Sequence, residues 1–189
     1  MLAGAVPSGA RQILRASPCR GGIFFPRLTT TTTTKIVGLH TLNCGKALKK
    51  ADESRSFGEL AVEKDIGVLQ GIGPVSLEAL NGLGIRTIND LATYKYYHIA
   101  RSVAVLSTTE EEAARADDCQ MNINKAVDKK YETKTLQEIV AAPVAALQGI
   151  SEEKGLLFHN LGVQTVGDLA TLKYCQWAES IVELAKYEE

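Results

Sequence analysis

The 189-residue chain has no apolar run near the ~20 residues a bilayer-spanning helix needs, so no membrane span is expected. Cysteine is sparse and dispersed. Cys19, Cys44, Cys119 and Cys175 fall in no Cys-x-x-Cys or other ligand spacing, which excludes a zinc module and a disulfide framework. His40, His98 and His159 are far apart in sequence and form no paired-histidine metal motif. No nucleophile–base pair and no phosphate-binding lysine loop is present, so the expectation is a protein that is not an enzyme and holds no cofactor or metal. Apolar residues nowhere alternate with period two over a useful length, which argues against a sheet. Acidic residues are missing from the first 51 positions; Asp52 is the first.

That last absence is informative. Residues 1–41 carry Arg11, Arg15, Arg20, Arg27 and Lys35, a charge of +5, and leave −6 for the rest of a chain whose net charge is −1. An arginine-bearing, acid-free start has the composition of an organelle-targeting presequence. In "ARQILRA", Ile13 and Leu14 can lie against Arg11 and Arg15, and the threonine run at 29–34 suits an unfolded, cleavable spacer. Two serines, Ser8 and Ser17, favour mitochondrial over plastid import. Residues 1–41 are read as a disordered targeting segment.

Beyond residue 41 the chain repeats itself. "LQGIGPVSLEALNGLGIRTINDLATYKYYHIARSVAVL" (69–106) aligns without gaps on "LQGISEEKGLLFHNLGVQTVGDLATLKYCQWAESIVEL" (147–184), with 16 of 38 positions identical. Upstream, 42–60 aligns on 121–139, one residue being lost between the blocks. The copies are units of about 65 residues, 42–106 and 121–189, joined by the acidic connector 107–120. The connector is expected to extend the preceding helix and then break.

Each copy reads as helical, so the fold class expected is all-α. Thr87-x-x-Asp90 and Thr165-x-x-Asp168 are capping-box signals: the threonine accepts an orphan amide and the acid sits where the helix dipole favours it. After the caps, Leu91, Ala92, Tyr96, Ile99, Ala100, Val103 and Leu106, and in copy two Leu169, Ala170, Tyr174, Trp177, Ala178, Ile181 and Leu184, are spaced as one apolar stripe on a single helix. Tyr96 and Tyr174 are expected in the core with the hydroxyl near the surface; base stacking is the alternative. A shorter helix precedes, 74–83 and 152–161, ending at Gly84 and Gly162 as positive-φ glycines. Another short helix is expected after Ser56 and Thr135.

The pattern L-x-G-I-G, six residues, L-x-x-L-G-I-x-T-I-x-D-L, met in full at Leu69, Gly71, Ile72, Gly73, Leu80, Leu83, Gly84, Ile85, Thr87, Ile88, Asp90 and Leu91, resembles the helix-hairpin-helix motif. It covers about 23 residues of each copy. The resemblance implies two tandem helical repeats packed as one compact domain, with Gly71, Ile72 and Gly73 as a hairpin whose amides approach a nucleic-acid phosphate. The sequence departs from that use. Pro74 to Glu78 include no basic residue, and in copy two Gly73 is replaced by Ser151, followed by Glu152, Glu153 and a single Lys154. Copy two therefore reads as a structural hairpin capped by its own acids.

The lysines that recur between copies are the candidate basic contacts: Lys46, Lys49 and Lys50, with Arg55, against Lys125, Lys129 and Lys130, with Lys134. A solvated helix face is the plainer reading of them and the favoured one. Lys95 and Lys173 recur beside the shared tyrosines and read as snorkelling surface lysines. An intact fold signature with an acidified hairpin points to a non-catalytic interaction module with protein partners in an organellar complex. The alternative is an organellar nucleic-acid-binding protein that uses the copy-one hairpin, against which the −6 charge of the mature region weighs.

Overall fold

The structure is a computed structural model that describes residues 42, 44–111 and 119–189. The expected presequence and the middle of the connector lie outside those residues. The described residues are all-α, with no strand. They form eight helices: α1 (Phe57–Ala61), α2 (Pro74–Gly82), α3 (Ile88–Ala92), α4 (Lys95–Ser107), α5 (Leu136–Ala141), α6 (Glu152–His159), α7 (Val166–Ala170) and α8 (Lys173–Leu184).

Local chemistry explains where helices start. Ser56, Thr87, Thr135 and Thr165 open α1, α3, α5 and α7 with complete capping boxes closed by Glu59, Asp90, Glu138 and Asp168. Each hydroxyl accepts an amide three residues on, and each acid reaches back to the cap amide, so two orphan donors are satisfied at once. Gly84 and Gly162 adopt φ of +82° and +75°, as the C-terminal signal requires.

The single helix expected after each Thr–Asp cap is two helices. α3 ends at Thr93, whose hydroxyl donates to the Asn89 carbonyl (2.8 Å); α7 ends at Thr171, bonded likewise to Gly167 (3.1 Å). Tyr94 and Leu172 are extended, and α4 and α8 start beyond them. The reason is burial. On a continuous helix, positions 94 and 172 would point away from the apolar stripe. The break turns Leu172 into the core and sets the Tyr94 ring against those of Tyr96 and Phe158. Leu106 and Leu184 also depart from the expected stripe; they are 55% and 46% exposed.

The two halves interlock. α4 of the first half packs on α5 and α7 of the second, and α8 of the second packs on α1 and α3 of the first. α2 lies on α6 closely enough that a Cβ on Gly82 would come within 2.8 Å of the Leu157 side chain. One core runs through both halves and takes in Leu69, Ile88, Leu91 and Tyr97 of the first with Leu147, Val166, Leu169 and Cys175 of the second. Where α4 and α8 approach, the buried Tyr97 donates its hydroxyl to Glu179 (3.2 Å), and Arg101 pairs with the same carboxylate. Residues 42–189 are thus one compact unit.

Candidate functional site

The turn that leads into α2 is the first candidate. Leu48 bridges Leu69, with the Lys49 amide donating to Val68 and the Gln70 amide to Ala47, both at 2.8 Å. The segment carrying Lys46, Lys49 and Lys50 therefore lies alongside the approach to Gly71. The second half repeats this pairing between Val127 and Leu147. Both lysine segments are turns with a short 3₁₀ piece at Lys129–Tyr131, so the solvated helix face expected from sequence is corrected to a turn surface. All six lysines are exposed.

Gly71 has φ +91°, a conformation that favours glycine. Ile72 is buried and anchors the turn in the core rather than facing a ligand. Gly73 is the N-cap of α2 and offers no side-chain acceptor, while Pro74 at the first helical position lacks an amide. The amides of Gly73, Val75 and Ser76 have no hydrogen-bond partner among the described residues.

The other half completes the turn. Tyr174 on α8 donates its hydroxyl to the Gly71 carbonyl at 3.0 Å. Lys173, stacked over Tyr174 and Trp177 at 5.0 and 5.4 Å, holds Nζ 3.8 Å from where a Cβ on Gly71 would stand. Lys173 is therefore more than a snorkelling lysine. The contact is reciprocal: the Tyr96 hydroxyl stands 2.6 Å from the Cβ position of Gly149, whose φ is +96°, and Lys95 lies over the Tyr96 ring at 4.6 Å. Both tyrosines are buried, as expected, but each serves the turn of the other half.

At the start of α6 the cap is the Ser151 hydroxyl, which accepts the Lys154 amide (3.3 Å). The expectation that Glu152 and Glu153 cap this helix is corrected; they sit in its first turn and complement its dipole. Thr87 and Asp90, and Thr165 and Asp168, take the predicted structural roles. The amides of Thr165 and Gln164 hold the Asp168 carboxyl below the usual carboxylate range. Asp90 is also lowered: burial pushes it up, but the Arg86 amide and the Thr87 hydroxyl and amide prevail.

Sequence reasoning missed two carboxylates. Glu188 accepts the Phe57 and Gly58 amides at the start of α1 (3.0 and 2.7 Å), and Glu110 accepts the Gln137 amide at the start of α5 (3.2 Å). The two acids are 78 residues apart, the offset of the aligned blocks, but lie four residues beyond the point where similarity fades. Each ties the end of one half's chain to the other half.

Comparison with known protein families, curated proteins and solved structures finds no match to this chain. Among the described residues no helix is long and apolar enough to cross a membrane, and no cluster of three or more His, Cys, Asp or Glu could hold a metal.

Proposed function

We propose that this chain is a non-catalytic interaction module, built of two helix-hairpin-helix repeats and acting as an accessory subunit of an organellar protein complex. The arginine-bearing, acid-free segment 1–41 supports a mitochondrial address. The observation that carries the reading is the reciprocal use of the hairpin turns. Tyr174 takes the Gly71 carbonyl, Tyr96 covers Gly149, and Ser151 caps α6 with Glu152 and Glu153 beside it. Turns held by the opposite half make a rigid body, the acids beside Ser151 disfavour a phosphate at the second turn, and the exposed Val105, Leu106 and Leu156 give that body apolar surface for a protein. The test is affinity purification of the processed chain from mitochondrial extract under stringent washing. Stoichiometric recovery of one or more proteins is expected; recovery of none sinks the reading.

One observation favours nucleic acid as a second reading. The amides of Gly73, Val75 and Ser76 are unpartnered among the described residues, and Lys173 stands beside Gly71, so the cation missing from the sequence around α2 arrives from α8. A mobility-shift series over salt decides between the readings. If binding occurs and Gly73→Asp and Lys173→Glu each weaken it several-fold, the first-repeat hairpin is the contact. If neither changes it, the hairpin is not.

A further inference from the structure

In the second repeat a recess stands where the alignment puts glycine opposite a leucine of the first. The alignment sets Leu77 against Gly155. Leu77, on α2, is half-buried and packs on the core. At Gly155, on α6, the surface opens into a cleft of about 250 Å³ whose apolar lining includes Tyr131, Val144, Ala145, Ala146 and Leu156.

Nothing in the fold requires glycine at 155. Its φ lies outside the left-handed region, and a Cβ there would meet only the Ala145 methyl, at an ordinary 3.9 Å. Glycine inside a helix is destabilising relative to alanine. The chain accepts that penalty where its other repeat has leucine, and the open cleft is what results. The next position changes in the same sense: Glu78 becomes Leu156, which is 66% exposed. Leucine inward and carboxylate outward have become a recess inward and leucine outward.

Charge defines the rim. Lys130 stacks over the Tyr131 ring at 5.0 Å and lines the cleft, and Lys129 precedes it. Neither lysine has an ion-pair partner among the described residues, whereas Lys134 is paired with Glu138. His159 and one carboxylate, Glu152, also line it.

We propose that this cleft binds a protein segment presenting one leucine-sized aliphatic side chain flanked by carboxylates. The aliphatic group stands in for the leucine that the alignment sets opposite Gly155, and the carboxylates lie against Lys129 and Lys130. The inference rests on the interaction-module reading and names the chemistry of its partner.

The probe is a capped pentapeptide with one leucine between two pairs of aspartates, titrated into the isotope-labelled full chain and followed by amide chemical shifts. Saturable shifts are expected at Gly155, Leu156 and Ala145, with Kd on the order of 1 mM, weakening as salt rises. Replacing the peptide's leucine by alanine, or filling the cleft with Gly155→Leu, is expected to weaken binding roughly tenfold or more. Lys129→Glu with Lys130→Glu is expected to do the same. If Gly155→Leu fails to fold, the alanine peptide on the unaltered chain decides. No saturable shift at these amides, or equal binding by the alanine peptide, overturns the proposal. The two readings fail separately: an organellar partner retained by a folded Gly155→Leu chain leaves the module standing and removes the cleft, while peptide binding without any recovered partner does the reverse.

Discussion

Gly149→Ala tests the interlocking of the halves, because the tyrosine it meets belongs to the other half. Two contributions add. Any Cβ at a left-handed φ costs about 1–2 kcal/mol; Gly149, at φ +96°, bears this, and so does Gly162, at +75°. At Gly162 a Cβ meets nothing within 4 Å, so Gly162→Ala measures the backbone cost alone. At Gly149 the Cβ would also stand 2.6 Å from the buried Tyr96 hydroxyl, and relieving such an overlap in a packed site adds about 1–3 kcal/mol. Gly149→Ala is therefore expected to cost about 2–5 kcal/mol against about 1–2 for Gly162→Ala. Urea unfolding at constant m-value reads the difference. In a Tyr96→Phe background the nearest atom becomes Cζ, at an ordinary 3.7 Å, so the excess should vanish. Equal costs at the two glycines, or an excess that survives Tyr96→Phe, would refute the reciprocal packing.

Four other perturbations read the same geometry. Thr165→Ala removes the cap from α7 and should lower stability by about 1 kcal/mol in urea unfolding. Glu188→Gln removes the charge that faces the Phe57 and Gly58 amides; thermal unfolding should show a loss of about 0.3–1 kcal/mol at low salt and less at high salt. Asp168 is held below its ordinary range by the Thr165 and Gln164 amides, and a carboxyl lowered on folding stabilises fully above its unfolded pKa and loses that as pH falls through the folded one. The thermal midpoint should thus fall below about pH 4, and less steeply in Asp168→Asn. Burial pushes the Cys175 thiol up to about 12, so an alkylating reagent at about pH 8 should modify the exposed Cys44 and Cys119 and spare Cys175 until the chain unfolds.

Local order was legible because its causes are local. The Thr–Asp boxes at 87–90 and 165–168, the starts after Ser56 and Thr135, and the positive-φ glycines at 84 and 162 each depend on residues within a few positions, and each is where the sequence placed it. The helix break at Thr93 and Thr171 was not legible. Spacing alone permits a continuous stripe, and only the core available to Tyr94 and Leu172 rewards breaking it. The same limit applies to the candidate site. Gly71 and Gly73 stand out in sequence, yet the groups that complete that turn, Tyr174 and Lys173, lie about a hundred residues away.

The sequence by itself determined the helical class of the folded region, the helix starts, and the 78-residue correspondence between its halves, since periodicity, capping and self-similarity are written residue by residue. The tertiary structure decided which half completes which. Tyr96 and Tyr174 look identical in the two copies, and nothing local distinguishes a hydroxyl that serves its own turn from one that serves the other. The distinction arises when α4 and α8 cross onto the opposite half, bringing Glu110 and Glu188 to foreign helix starts. Gly155 shows the same division: its identity is in the sequence, but that it opens a recess depends only on what packs around it.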